Sequence, residues 1–371
     1  MKKYFIYELK KNWLAALILA AFATVFYITF IINADFQPNF TGTYVPPSLV
    51  AVPLVTLMLL CTFVPAMVFS YKMNARQTDC FYALPLRREK VYLIKSAIGL
   101  LMVLVPYTVA YWLGFIATAA KPNAFELWAF IPAYFISIPL AVMLFGFNAF
   151  IFTRANRQSD GTFFVVLYAC VGVMLAGYVY VLFDCGYGGG YGDYGNYTNP
   201  SGSRINIVNP SFWDWFTYSP LTWLANKYTG IISNTETLYG VGAVIRPHEE
   251  VDLSGFINLE WLYYLFAALT GIAAWAGLFL TARKEKAENA ERVSDTWFGY
   301  RIMLPTYLAL GLALLVPIGG STAMIFIVIV VAMSAALYII YRRSVKLKLE
   351  DIISLVGAVL LGLLLAIPLN S

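Results

Sequence analysis

The chain has 371 residues, of which 60% are hydrophobic and only 12% are charged, and its formal net charge is +5. Soluble domains carry about 25% charged residues, so this composition excludes an ordinary soluble domain and predicts a membrane protein. The basic residues are scattered over short segments between apolar runs, which excludes a nucleic-acid-binding surface.

The apolar runs predict an all-α polytopic membrane protein. A span needs about 20 apolar residues, and backbone polar groups in lipid must be paired within a helix. We predict nine spans, the seventh and eighth of them short. Their approximate ranges are 13–33, 49–71, 92–118, 127–152, 162–183, 260–281, 302–319, 322–341 and 353–370.

The distribution of Lys and Arg predicts the orientation of these spans. Loops on the cytoplasmic side are enriched in positive charge. With the N-terminus inside, the inside segments are 1–12, 72–91, 153–161, 282–301 and 342–352. Together with Lys95, at the start of the third span, they contain all Lys and Arg residues except Lys121, Arg204, Lys227 and Arg246. We therefore expect a multi-pass protein of the plasma membrane with a cytoplasmic N-terminus.

The longest stretch between spans, residues 184–259, is predicted to lie outside the cell. It begins with a Gly/Tyr-rich tract, CGYGGGYGDYGNYTNPSGS, which is typical of a loop. An aromatic cluster with few charges follows. Aromatic side chains of this kind favour the membrane–water boundary, so we expect short interfacial helices there. The cluster includes Trp213, Trp215, Phe216, Trp223 and Tyr228.

A charged stretch separates the second and third spans and reads TDCFYALPLRREKVYLIKS. Ala75 to Leu84 is predicted to form a short amphipathic helix at the cytoplasmic surface. Pro85 ends that helix, because proline lacks the N–H donor and clashes with the preceding turn. A new helix is predicted to begin near Arg87 and to continue into the third span. A simpler interpretation is a connecting loop whose charges only set the topology.

This stretch resembles the cytoplasmic segment of permease subunits of bacterial type-2 ABC exporters. Those subunits show an acidic residue, a Leu-Pro pair, an arginine and a lysine at the start of the next span. Asp79, Leu84, Pro85, Arg87 and Lys95 stand in these places. A basic amphipathic segment, YFIYELKKNW, precedes the first span, and the external segment follows the fifth, as in that family.

The resemblance covers roughly residues 1–281 and implies a six-helix permease core. About three further C-terminal spans depart from the family pattern. The expected organisation is spans one to five with the coupling segment 75–91, the external segment, the sixth span, a cytoplasmic linker and a C-terminal extension. These parts occupy 1–183, 184–259, 260–281, 282–301 and 302–371.

In the family, the cytoplasmic segment is the coupling helix that contacts the ATP-binding subunit. The resemblance therefore implies polar contacts from five residues, apolar anchors from Phe81, Tyr82 and Leu84, and a role for Pro85 and Lys95 in the same segment. The polar residues are Arg76, Asp79, Arg87, Arg88 and Lys90.

The sequence contains no G-x-x-x-x-G-K-[ST] motif, so the chain does not hydrolyse ATP through a P-loop. We expect a transporter subunit rather than an enzyme, with no cofactor and no metal. Its expected partners are a cytoplasmic ATP-binding subunit, a second permease subunit (identical or homologous) and membrane lipid. The expected substrate is an amphiphile: a lipid, a peptide such as an antimicrobial peptide, or a drug-like molecule.

Two other function classes remain as alternatives. One is a membrane sensor or assembly protein that uses the external segment as a binding module. The other is a membrane enzyme, which is disfavoured because the sequence shows no cluster of His, Asp and Glu. The spans carry almost no charge, which argues against an ion-coupled carrier.

Three further features carry predictions about packing. Asn148, in FGFNAF, is expected to hydrogen-bond a neighbouring helix. The small residues from Gly271 to Gly277 give the sixth span a face for close helix packing, within the chain or at a subunit interface. The mixed-charge run RKEKAENAERVSD, residues 283–295, is read as a solvated linker or a second ATPase contact.

Overall fold

The chain folds into helices that coincide with the predicted apolar runs. A computed structural model describes residues 2–33, 38–39, 42–43, 47–83, 87–120, 130–186, 197–198, 204–205, 260–283, 290–292, 294, 296, 298–316, 320–342 and 349–370. These residues form ten α-helices, with one short 3₁₀ turn at Ser70–Met73. In chain order the helices are α1 (Lys2–Asn33), α2 (Pro47–Phe69), α3 (Ala75–Tyr82), α4 (Arg88–Ala119), α5 (Phe130–Phe152), α6 (Gln158–Gly186), α7 (Glu260–Ala282), α8 (Tyr300–Leu315), α9 (Gly320–Arg342) and α10 (Leu349–Asn370).

Strand structure in the described residues is limited to two antiparallel pairs of two-residue strands. In the first, β1 (Pro38–Asn39) pairs with β2 (Gly42–Thr43), and Pro38 lies opposite Thr43. In the second, β3 (Tyr197–Thr198) pairs with β4 (Arg204–Ile205). Apart from the end of α6 and this second pair, the predicted external segment 184–259 lies outside the described residues.

Several helices fit the membrane class that the composition predicts. Among the described residues, four helices are long and apolar enough to cross a membrane: Lys2–Asn33, Val52–Met73, Arg88–Ala119 and Leu349–Pro368. Shorter apolar helices occur at Ser137–Phe152, Ala268–Ala282, Tyr300–Leu315 and Met324–Ile339. The all-helical membrane class is thus supported, while the nine spans and their orientation stay predictions.

Contacts divide the chain into two compact units. Unit 1 comprises Met1–Thr153 and Trp223–Ala290, and unit 2 comprises Arg154–Thr222 and Glu291–Ser371. Unit 1 thus contains α1 to α5 and α7, whereas α6 belongs with α8, α9 and α10. The six-helix core implied by the resemblance is therefore not confirmed as a unit, because its fifth membrane helix packs with the C-terminal helices.

Small residues let α5 and α7 pack closely in unit 1. A Cβ atom added at Gly271 would lie 2.8 Å from Met143, and one at Gly277 would lie 2.8 Å from Phe150. In the other direction, the Trp275 indole covers Gly146, and its Nε1 donates a hydrogen bond of 3.0 Å to the carbonyl oxygen of Val142. The predicted small-residue face of the sixth span is thus used for packing within the chain.

A polar contact also joins α5 to α2. Asn148 is buried, and its Nδ2 donates a hydrogen bond of 3.0 Å to the carbonyl oxygen of Cys61. An amide in an apolar helix gains most when it bonds a neighbouring helix, because no water competes for it. The prediction for Asn148 is confirmed.

Unit 2 is held by similar close approaches. Gly362 of α10 faces the backbone of Ala309 in α8, where a Cβ atom would lie 2.8 Å from the carbonyl oxygen. The Tyr178 hydroxyl of α6 donates a hydrogen bond of 3.0 Å to the Leu365 carbonyl oxygen. The first contact joins α8 to α10, and the second ties α6 to α10, in agreement with the place of α6 in this unit.

Candidate functional site

The charged stretch between α2 and α4 forms the short helix that the sequence predicts. The helix α3 begins after Asn74, whose side chain caps it by accepting a hydrogen bond of 3.1 Å from the Arg76 amide. It ends at Tyr82, and α4 begins at Arg88 after an extended Arg87. Leu84 and Pro85, where we predict the break, lie outside the described residues, and the described helices end two residues before the predicted Leu84 and begin one residue after Arg87.

A buried hydroxyl fixes the turn that leads into α3. The Thr78 Oγ1 is buried and lies 3.1 Å, 3.0 Å and 2.8 Å from the carbonyl oxygens of Tyr71, Lys72 and Asn74. Its single hydrogen is shared among these three carbonyl oxygens, and the Thr78 backbone N–H also donates to the Asn74 carbonyl at 2.9 Å. The start of α3 is therefore tied to the end of the preceding segment.

An ion pair lies beneath α3 in the interior of unit 1. The Lys95 Nζ is 2.8 Å from the Glu8 Oε2, and the two side chains are 6% and 0% exposed. Tyr4 donates a hydrogen bond of 3.0 Å to the Glu8 Oε1, and the Asn12 Nδ2 lies 3.3 Å from the Oε2. The buried carboxylate thus has partners at both oxygens, as a buried charge requires.

Two aromatic rings connect this ion pair to α3. The Lys95 Nζ lies 4.7 Å from the centroid of the Phe81 ring and 5.1 Å from that of Tyr71. The two rings contact each other, with their centroids 4.5 Å apart. A cation beside an aromatic face gains electrostatic energy, more so when it is desolvated. We call Glu8, Tyr71, Phe81 and Lys95 the anchor cluster.

The anchor cluster joins four elements through side chains. Glu8 comes from α1, Tyr71 from the 3₁₀ turn, Phe81 from α3 and Lys95 from α4. The Lys72 ammonium adds a link to the end of α5 by donating to the Thr153 carbonyl oxygen. Packed side chains thus connect α3 to the N-terminal parts of α1 and α4.

The structure separates the predicted coupling residues into two groups. Most are exposed, and they surround the start of α3 and the start of α4. Lys95 is buried and Phe81 is partly buried. The Phe81 ring, an apolar anchor in the interpretation that the resemblance implies, contacts Tyr71 of its own chain. The side chain of Tyr82, like Leu84 and Pro85, lies outside the described residues. The exposed group consists of Arg76, Asp79, Arg87, Arg88 and Lys90.

Sequence reasoning missed the partners of Lys95. Glu8 is the one acidic residue in the basic segment KKYFIYELKK, which was a usable signal for a specific role. Tyr71 and Thr78 gave no comparable signal, because an aromatic residue and a threonine at the end of an apolar run are ordinary. Their roles depend on the fold of the turn.

The linker after α7 contacts structured parts at both of its ends. In unit 1, Arg283 Nε lies 2.7 Å from the Oε1 of Glu89, in a pair that is well exposed. In unit 2, the buried Ser294 hydroxyl donates to Asp160 Oδ2 at 2.7 Å and accepts from the Asn156 amide at 2.9 Å. These ends are thus held by the protein, and residues 284–289 lie outside the described residues.

The described residues place no group of three or more His, Cys, Asp or Glu side chains where they could hold a metal ion. The site built above consists of charged and aromatic side chains. Comparison of the chain with protein-family models, with curated proteins and with solved structures gave no match in any of the three.

Proposed function

We propose that this chain is the membrane-spanning permease subunit of an ABC transporter. A separate cytoplasmic ATP-binding subunit hydrolyses ATP and docks on α3, and the movement drives export of an amphiphilic substrate. The observation that carries the proposal is the two-sided character of α3. One side exposes Arg76 and Asp79, and the other is held through Phe81 by the buried Lys95–Glu8 pair.

A short helix transmits the movement of a docked partner only if its contacts within its own chain are stronger than its individual contacts with that partner. The Phe81 ring of α3 contributes about 0.5–2 kcal/mol through its contact with the desolvated Lys95 ammonium and about 0.5–1.5 kcal/mol through its contact with Tyr71, whereas rim contacts between exposed charges are worth about 0–1 kcal/mol each. The anchor cluster therefore holds α3 to α1 and α4 more firmly than single rim contacts pull on it. Such an arrangement supports rigid-body transmission to the membrane helices.

The exposed charge around α3 also suggests the character of the docking partner. Arg76, Arg87, Arg88 and Lys90 are exposed, with Asp79 as the exposed acid of α3. Complementary charge raises the rate of association and fixes orientation. The proposed ATP-binding subunit would present a mainly acidic rim with one basic contact for Asp79.

The remaining parts of the proposal follow the resemblance. The chain would act as a homodimer or heterodimer of permease subunits in the plasma membrane, with its N-terminus in the cytoplasm. Lipids, peptides and drug-like amphiphiles suit helices whose membrane-facing residues are almost entirely apolar. The C-terminal helices α8, α9 and α10 would be an addition to the permease core.

The experiment that tests this function is purification of the tagged full chain from its native membranes, followed by assay of ATP hydrolysis. We expect an ATP-binding protein to co-purify in stoichiometric amount and to hydrolyse ATP. Replacing Arg87→Glu together with Arg88→Glu should abolish its association. The matched control is Arg292→Glu with Arg301→Glu, which reverses two exposed charges in unit 2 and should leave association unchanged.

Two outcomes would contradict the proposal. If no ATP-binding protein accompanies the chain, the sensor or assembly function becomes the better account. If the ATP-binding protein stays bound to the Arg87 and Arg88 variant, the docking surface is not at α3.

A further inference from the structure

The first three turns of α1 extend beyond the part of that helix that is needed to cross the hydrocarbon core of a membrane. The helix runs for 32 residues from Lys2 to Asn33, which is about 48 Å at 1.5 Å per residue. The hydrocarbon core is about 30 Å thick. With the apolar run 13–33 in the core, residues 2–12 continue for about 16 Å through the lipid headgroup layer and beyond it.

These turns have an inward side that is already occupied. Tyr4, Glu8 and Asn12 follow one another at four-residue spacing, so they share one side of the helix. This side carries the hydrogen bonds to Glu8 and the ion pair with Lys95. The same segment therefore cannot offer its acidic group to a ligand.

The opposite side combines lysines with large apolar groups. Lys3 and Lys10 are seven residues apart, as are Ile6 and Trp13, so both pairs recur on the outward side of the helix. Ile6 is 48% exposed and Trp13 is 58% exposed, and both lysines are exposed. Lysines with long apolar stems beside a tryptophan are suited to the headgroup layer, where the stem meets hydrocarbon and the ammonium meets phosphate.

The charge on this surface is of one sign. Lys2, Lys3, Lys10 and Lys11 are exposed, and within residues 2–12 the one acid, Glu8, is fully buried and paired. Each lysine near an anionic lipid surface contributes to attraction that weakens within a Debye length, about 8 Å at physiological salt. The surface is therefore complementary to headgroups with a net negative charge rather than to zwitterionic headgroups, whose phosphate is offset by a cationic group.

We propose that the outward side of residues 2–13 is a binding surface for anionic phospholipid headgroups in the leaflet where α1 begins. Lipid phosphates are attracted by the ammonium groups of Lys3 and Lys10, while Trp13, at the start of the apolar run, contacts the upper acyl chains and Ile6 contacts the headgroup layer. The inference rests on the membrane assignment of α1 and not on the transport function. Because Glu8 lies on the other side of the same turns, bound lipid also stabilises the position of α1 in which Glu8 pairs with Lys95.

The test is native mass spectrometry of the full chain released from neutral detergent micelles containing phosphatidylglycerol or phosphatidylcholine. It compares the apparent dissociation constants for the first bound molecule of each lipid. In the variant Lys3→Gln with Lys10→Gln, affinity for phosphatidylglycerol should fall at least about fivefold, and affinity for phosphatidylcholine should not change. Lys3→Arg with Lys10→Arg should retain binding, because it keeps both charges.

The matched control is Arg76→Gln with Arg88→Gln, which removes two exposed charges from α3 and α4 in the same unit. This control should retain phosphatidylglycerol binding but weaken association with the ATP-binding subunit, so failure of the lipid inference is distinguishable from failure of the transport function. Unchanged affinity in the lysine variant, or an equal loss in the arginine control, would overturn the inference. The single substitutions Lys3→Gln and Lys10→Gln apply the same test if the double variant does not give monodisperse protein.

Discussion

Lys95 of α4 and Glu8 of α1 are 87 residues apart in sequence, yet their charged atoms lie 2.8 Å apart in the interior of unit 1. Phe81 of α3 covers the lysine at 4.7 Å. A short surface helix is thereby attached to two long apolar helices through one buried cation. This relationship is the basis of the proposed transmission.

The first prediction concerns the stability that the buried pair provides. Replacing Glu8→Gln leaves the Lys95 ammonium buried without its counter-charge, which should reduce the free energy of unfolding by about 3–5 kcal/mol. The measurement is the midpoint of thermal unfolding in detergent, followed by tryptophan fluorescence. Replacing both residues, Glu8→Leu with Lys95→Met, should restore much of the loss because no unpaired charge remains.

The exposed pair between Glu89 and Arg283 provides the control for this prediction. Its side chains are 42% and 64% exposed, so Glu89→Gln should cost no more than about 1 kcal/mol. Equal shifts of the unfolding midpoint for Glu8→Gln and Glu89→Gln would show that the buried ion pair stabilises the protein no more than the exposed one.

The second prediction concerns the hydroxyl of Thr78. Thr78→Val keeps the shape of the side chain but removes the hydrogen that three neighbouring carbonyls share. The free energy needed to open α3 locally should therefore fall by about 1 kcal/mol. Hydrogen exchange of the peptide covering residues 75–82 should accelerate about fivefold. Thr78→Ser retains the hydroxyl and should exchange much more slowly than the valine variant; equal exchange in the two variants would contradict the assigned role.

The third prediction concerns close packing of α5 on α7. A methyl group at Gly146 meets the Trp275 indole, so Gly146→Ala should destabilise unit 1 by about 1–3 kcal/mol. Gly172 in α6 has nothing within 4 Å of an added Cβ atom. Gly172→Ala should therefore be neutral or slightly stabilising, because alanine favours the helix. A lower unfolding midpoint for Gly172→Ala than for Gly146→Ala would contradict the packing described.

The fourth prediction separates docking from transmission. Phe81→Ala removes the ring between α3 and Lys95 but leaves the exposed residues in place. Association with the ATP-binding subunit should persist, while stimulation of ATP hydrolysis by transported amphiphiles should be lost. Phe81→Leu keeps apolar contact and should retain part of the stimulation. Loss of association in the alanine variant would instead place Phe81 in the docking surface.

Features that depend on local chemistry were predictable from the sequence. The proline at position 85 predicted a break between a short helix and a long one, and the described helices end at Tyr82 and begin at Arg88. The contact of Asn148 was also predictable in kind, because a buried amide in an apolar helix needs a partner on another helix.

Features that depend on long-range packing were not predictable. Lys95 was identified as part of the coupling segment, but its pairing with Glu8 requires that α1 and α4 lie side by side. The inward position of Phe81 depends on the 3₁₀ turn that brings Tyr71 beneath it. The grouping of α6 with α8 and α10 depends on contacts such as Tyr178 with Leu365, which hydrophobic periodicity does not encode.

The most direct test of the central claim uses a native residue of α3. Cys80 is an exposed free thiol on this helix, between Asp79 and Phe81, and its alkylation rate reports access to that surface. The rate is measured by mass spectrometry for the chain alone and for its complex with the co-purified ATP-binding subunit, and each rate is normalised to that of the same chain unfolded in denaturant. The account predicts that Cys80 is strongly protected in the complex but not in the chain alone; equal alkylation of Cys80 in the two samples would contradict it.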